Sequence, residues 1–126
     1  MDESKRFRQG MKTRRAVLGD AHVDRAESQK NSFNEPFQEL ITRYAWGEVW
    51  MRPGLPRKTR SLITIGMMVA LNRTDELRLH LRAAANNGAS RKEIQEVLLH
   101  AAIYCGVPAA NTAFHIAEEI FQESQK

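Results

Sequence analysis

"SLITIGMMVALNRTDELRLHLRAAANNGASRKE" (residues 61–93) carries the start and stop signals of three consecutive helices. Its run "LITIGMMVAL" (62–71) is apolar on all sides, which predicts the central, most buried helix. Thr74 or Asp75 then offers an N-cap, and Leu77, Leu81 and Ala84 recur at steps of four and three. "NNG" ends that helix with Gly88 as its left-handed terminator. "SRKE" is a capping box leading into Ile94, Val97, Leu98, Ala101 and Ala102.

The same signals continue in both directions. Upstream, Pro56 starts the apolar helix, and Arg52-Pro53-Gly54 stops an earlier one, because the residue before proline is pushed out of helical geometry. That earlier helix begins at Asn34 or Glu35 with Pro36 in its first turn. It repeats Phe37, Leu40, Ile41 and Tyr44 and reaches the Trp46 to Trp50 region. Residues 4 to 18 form a charged helix ending near Gly19, and Asp20 is a possible N-cap for a short helix after it. Downstream, Gly106 closes the capping-box helix and Pro108 opens the last, through Ala109, Ala113, Ile116 and Ile120. With no alternating strand pattern, the expected fold is all-α, about six to seven helices in a single domain over residues 1–126. Several of these helices are too apolar to be covered within one chain, so an oligomer is expected.

A chain of 126 residues can build a core without staples. Cys105 is the only cysteine, which excludes a disulfide framework within the chain and fits a reducing cytoplasm. The beginning "MDESKRFRQG" is charged rather than apolar, and the longest apolar run falls short of the ~20 residues of a membrane helix, so a soluble, non-secreted protein is expected. The sequon Asn72-Arg73-Thr74 is read as chance. Net charge is +4, with basic residues scattered among Asp and Glu, so a solvated surface is expected and nucleic acid is not. Thirteen of the 19 cations are Arg, the cation suited to a bidentate grip on carboxylates, which favours small acids as partners. In "WGEVWMRPGLPRKTR" (46–60), Arg57, Lys58 and Arg60 crowd a helix N-terminus, where cations are disfavoured by about 0.3–1 kcal/mol each. Something negative is expected there, either a ligand or a neighbouring subunit's carboxylates.

"WGEVW" and "RPGL" (46–55), "ELRLHLRAA" and "NNG" (76–88), "YCGVPAAN" (104–111) and the upstream "RRAVLGDAHVDRA" (14–26) resemble the carboxymuconolactone decarboxylase family over nearly the whole chain. The resemblance implies an alkyl-hydroperoxidase-D-like helical fold, a homo-oligomer that is usually a hexameric ring, and no cofactor or metal. The implied reaction converts 4-carboxymuconolactone to 3-oxoadipate enol-lactone and CO2 in protocatechuate catabolism. Peroxidases of the same superfamily use Cys-x-x-Cys followed by a His, with a Glu upstream. Laid on His80, that pattern falls on Arg73, Glu76 and Ser61, so both cysteines and the glutamate are absent. A thiol peroxidase relying on Cys105, and a non-catalytic binder of aromatic-derived acids, are the rival readings; Cys105 itself reads as a small apolar helix residue.

The implied substrate, a lactone dicarboxylate, is its own electron sink, because the departing carboxylate sits on a ring carbon conjugated to the lactone carbonyl. The protein must then hold the side arm, stabilise charge on the lactone oxygen and return a proton to carbon. Spacing alone leaves His80 open between a satisfied core histidine and a proton donor; the resemblance favours the donor, with Glu76 one turn back to hold it. His22 is a second candidate acid, while His100 and His115 read as structural. Arg60, beside the buried run, Arg52 at the bend and Arg43 are candidate carboxylate anchors. Glu48 orients an Arg, relays the proton or makes an ordinary salt bridge, and Trp46 with Trp50 is core, subunit contact or substrate wall.

Overall fold

The computed structural model describes residues 1–123 and is helical, with no strand among them. It comprises α1 (Glu3–Leu18), α2 (Asp20–Ser28), α3 (Glu35–Ile41), a π-helical segment (Thr42–Val49), α4 (Arg57–Ala70), α5 (Thr74–Asn86), α6 (Arg91–Tyr104) and α7 (Val107–Glu123). Two compact units divide these, Met1–Pro56 and the chain from Arg57 onward. No helix of the described residues is long and apolar enough to cross a membrane.

In the N-terminal unit, the Asp2 carboxylate caps α1 by accepting the Lys5 amide at 2.7 Å, and Gly19 ends the helix at φ 92°. Asp20 is the first helical residue of α2 and not its N-cap; Gly19 stands at the cap and has no side chain to offer. The helix expected from Asn34 or Glu35 to the tryptophans changes its winding at Thr42, where each backbone hydrogen bond spans one residue more than in an α-helix. The Trp50 amide accordingly donates to the Ala45 carbonyl five residues back, at 2.9 Å. Phe37, Leu40 and Tyr44 of the helical repeat are exposed.

The π segment lies against α1 with backbone touching backbone. A Cβ added at Gly10 would stand 1.9 Å from the Thr42 carbonyl oxygen, and one at Gly47 would stand 2.6 Å from the Arg6 carbonyl oxygen. Glycine inside a helix costs about 0.5–1 kcal/mol relative to alanine, so Gly10 is explained by this approach and not by helix propensity. Arg14, on the same helix, is buried at 4% exposure; its Nη2 donates to Gln38 Oε1 at 3.1 Å, and Glu27 lies 3.9 Å from Nη1. Burial pushes the Arg14 pKa down, although a guanidinium remains protonated.

The C-terminal unit is a four-helix core. Ile65 and Val69 from α4, Leu77, Leu81 and Ala84 from α5, Ile94, Leu98 and Ala101 from α6, and Ala113, Ile116, Ala117 and Ile120 from α7 form one buried cluster. Each fully buried Leu or Ile contributes roughly 1.5–3 kcal/mol. Alanines at one buried position in three let the helices approach. Arg78 to Glu119 and Arg82 to Glu123 tie α5 to α7 at the rim.

The boundaries follow the sequence signals closely here. Ser90 and Glu93 form both bonds of the capping box, at 3.0 and 2.9 Å. Gly88, at φ 92°, sits in a Schellman turn, with Ala89 N–H donating to Ala84 and Gly88 N–H to Ala85. Thr74 opens α5 as its first residue, with Arg73 at the cap and no side-chain cap bond. The expectation that α4 is buried on all sides is corrected: Ser61, Ile65 and Val69 are buried, while Ile63 and Met67, and Leu71 just past its end, are exposed. One helix packed against partners on one side can bury only one stripe, whatever the composition of the other.

The crossing in the N-terminal unit is testable by two glycines. Gly10→Ala should lower stability by about 1–3 kcal/mol, as over-packing does, because the new methyl meets backbone that has nowhere to go. Gly66→Ala, whose Cβ would make an ordinary 3.8 Å contact with Val97, should be neutral or stabilising. Thermal unfolding of the two variants beside the parent decides it, and equal midpoints for all three would refute the close crossing.

Candidate active site

The candidate residues divide between the two units. His22, Arg43, Trp46, Glu48 and Arg52 belong to the N-terminal unit, Arg60 and His80 to the C-terminal one.

In the C-terminal unit, α4 begins with the three cations that the sequence marks out. Arg57 is exposed, and Lys58 is held by the Glu93 carboxylate at 3.1 Å, so its charge is compensated within the fold. Glu93 is kept below the ordinary glutamate range first by the Ser90 amide of the capping box and then by Lys58. Arg60, one turn deeper, is half-buried, and its carbonyl accepts the Thr64 hydroxyl at 2.8 Å. Beside it Ser61 is fully buried, and its oxygen accepts from Asn87 Nδ2 at 3.2 Å, which ties the start of α4 to the end of α5. The positive end of the α4 dipole, Arg57 and Arg60 together make this helix start favourable for an anion.

His80 is half-buried on α5, one turn after buried Leu77 and one turn before buried Ala84. It therefore lies at the border of the apolar stripe, as its spacing predicts, with its neighbour Leu81 wholly in the core. Glu76, one turn earlier, is exposed. A histidine in this setting has one side in a low-dielectric wall and one toward solvent, which suits an acid that must reach a reacting carbon and then be reprotonated.

A broad apolar groove of about 640 Å³ runs between α4 and α6, lined among others by Ile63, Gly66, Met67, Val97, Tyr104 and Cys105. Cys105 is half-buried at the end of α6. His100 is exposed and stacks on Tyr104, with ring centroids 4.9 Å apart, and His115 is exposed on α7. Among the described residues, no group of three or more His, Cys, Asp or Glu is arranged to hold a metal ion.

In the N-terminal unit, Trp46 is buried and Trp50 half-buried, with ring centroids 5.0 Å apart at a 30° tilt. The pair stacks across one turn of the π segment, and Trp46 serves the interior. His22 is half-buried on α2. Arg43 faces two carboxylates, Glu3 at 3.5 Å and Glu39 at 3.7 Å, so its charge is answered inside the unit. Glu48 is bridged by Arg6 on one oxygen and by Arg52, at 3.5 Å, on the other. The Arg6 hydrogen bond, followed by the charges of Arg6 and Arg52, holds the Glu48 carboxyl below its ordinary range. An ionised glutamate of this kind orients an arginine well and donates a proton poorly. Arg6 went unmarked in the sequence because it lies 42 residues from Glu48 and only tertiary contact joins them.

Residues 35–119 match the model of the "Carboxymuconolactone decarboxylase family". The chain is 53% identical over 123 residues to a 4-carboxymuconolactone decarboxylase of Acinetobacter baylyi, covering 98% of this chain and 92% of that protein. It is 45% identical over 117 residues to a nitrosuccinic acid decarboxylase of Metarhizium robertsii, covering 93% and 82%. A 4-carboxymuconolactone decarboxylase sequence of Pseudomonas putida is 60% identical over 48 residues, which are 38% of this chain and 100% of that sequence. The helical fold, the near full-length identity and the family match agree: this chain belongs to the carboxymuconolactone decarboxylase family.

Proposed function

We propose that this chain decarboxylates 4-carboxymuconolactone to 3-oxoadipate enol-lactone, using side chains alone. The observation that carries the reading is the 53% identity, over 98% of the chain, to a protein of that name. The chemistry is self-contained. The bond between the ring carbon and its carboxylate breaks, CO2 leaves, and the electron pair moves through the ring double bond into the lactone carbonyl. A proton then returns to the ring carbon next to that carbonyl, so one proton is consumed for each CO2 released.

His80 is the proposed donor of that proton. Arg60, at the start of α4, and Arg52, at the bend, are the proposed anchors for the substrate's two carboxylates, each by charge-assisted hydrogen bonds. Arg43 is the weaker anchor, since Glu3 and Glu39 already face it. Glu48 acts by orienting Arg52. His22 is the alternative acid, and Trp46 supports the site from the interior. The active form is a homo-oligomer, hexameric by the family's habit, in the cytoplasm; the apolar groove and exposed Ile63, Met67, Ile103 and Val107 support the association.

The nitrosuccinic acid decarboxylase relative favours a second substrate of the same logic. In nitrosuccinate a carboxylate leaves a carbon that bears a nitro group, and the electron pair passes into the nitro oxygens. Both substrates are dianions with a built-in sink, so one arrangement of cations and one acid serve either.

Purified, chelator-treated protein should release CO2 from 4-carboxymuconolactone, followed by ultraviolet absorbance, and at a lower rate from nitrosuccinate. No turnover of the lactone under these conditions would remove the reading. His80→Gln should fold like the parent and lose about 10²–10⁴-fold in turnover, the usual contribution of a positioned acid. Near-normal rates in that variant, with the loss appearing in His22→Gln, would transfer the role to His22.

A further inference from the structure

Arg52 is the most exposed of the proposed anchors, with 65% of its side chain open to solvent, and it projects from the bend before Pro53. An arginine side chain carries about 2 kcal/mol of rotamer entropy, so a free one makes a poor preorganised clamp. Its Nη1 lies 3.5 Å from Glu48 Oε1. Glu48 is in turn gripped through its other oxygen by Arg6 Nη1, which also reaches the Gly47 carbonyl at 3.5 Å.

Arg6 is far better fixed than Arg52. Only 16% of its side chain is exposed, its Cζ lies 5.4 Å from the centre of the Tyr44 ring, and Glu3 flanks its Nε at 3.5 Å. Tyr44 is itself pinned, donating its hydroxyl to Glu3 at 2.8 Å. Beneath this side chain the Arg6 carbonyl touches Gly47, so the backbones carrying Arg6 and Glu48 are in direct contact. The result is a chain of three alternating charges that starts on a rigid helix crossing and ends at an exposed guanidinium.

We propose that Arg6 is a positioning residue for substrate binding: through Glu48 it holds the Arg52 guanidinium in the orientation that receives a substrate carboxylate. The inference rests on the decarboxylase reading with Arg52 as an anchor, and deepens it by naming what aims that anchor. The groups facing Glu48 are Arg6 from α1 and Arg52 from the bend; Glu3 on α1 and Tyr44 on the π segment flank Arg6, and Arg43 faces Glu3. The Glu48 carboxyl is held below its ordinary range, so its pairs persist above that range and are lost as pH falls through the lowered value. Without Arg6 the loss must begin at a higher pH.

The test is steady-state kinetics on 4-carboxymuconolactone from about pH 4 to pH 8, with parent, Arg6→Gln, Arg6→Lys, Glu48→Gln and the Arg6→Gln/Glu48→Gln double variant. Arg6→Gln should raise KM about five- to twentyfold while kcat stays within about threefold, the pattern of lost binding that the ground and transition states share. Its acid limb in kcat/KM should move to higher pH. Arg6→Lys, which keeps the charge and loses the fork, should fall between, and it carries the test if Arg6→Gln does not fold. The double variant should be no worse than Glu48→Gln alone, because both changes cut the same chain. Parent-like KM and acid limb in the Arg6 variants, or losses that multiply in the double variant, overturn the inference while the parent's turnover leaves the decarboxylase reading standing. A parent with no turnover overturns both.

Discussion

The N-terminal unit depends on a contact between two backbones. Helices that carry side chains at their contact stand about 8–10 Å apart. Gly10 and Gly47 remove the two Cβ atoms that would enforce that spacing, and the Thr42 and Arg6 carbonyls occupy the space. The segment that makes the contact is wound as a π-helix, so its side chains are rotated relative to an α-helix of the same sequence. That rotation, together with the approach, brings Glu48 under Arg6 and buries Trp46 while Tyr44 stays at the surface. The ion pairs that span the two segments, Arg6 with Glu48 and Arg43 with Glu3, inherit their geometry from the crossing, while Arg6–Glu3 and Arg52–Glu48 are local pairs one turn apart.

Charge in the C-terminal unit follows a different logic. Lys58 is absorbed by Glu93, which is already committed to the capping box of α6, so that one glutamate links the starts of two helices. Arg57 and Arg60 stand in the first turn of α4, at the positive end of its dipole, where an anion is favoured. An anion at such a helix start would gain partly by relieving repulsion between the cations. The proposed reaction then asks little more of the protein than a grip and a proton, since the electrons released on loss of CO2 have a destination inside the substrate.

The helices after Arg57 were legible in detail because their ends are local events. A capping box, a Schellman glycine and a proline after a glycine each act within four or five residues, and all three stand where the residues indicate. His80 at the edge of the apolar stripe of α5 was legible for the same reason, since helical period alone decides which face a residue shares. Asp20 and Thr74 were misjudged as caps by a single position, where Gly19 and Arg73 stand instead.

The sequence by itself determined the helical class, the order of the helices, most of their ends and the family likeness, because propensity, capping and short motifs are encoded in neighbouring residues. Tertiary structure alone decided that α4 buries one stripe and exposes another, that Thr42–Val49 winds as a π-helix, and that Arg6 meets Glu48 across 42 residues. Burial depends on which partner covers a face, and an ion pair on which backbones can touch. Both are properties of distant segments brought together, and no local pattern in the chain records them.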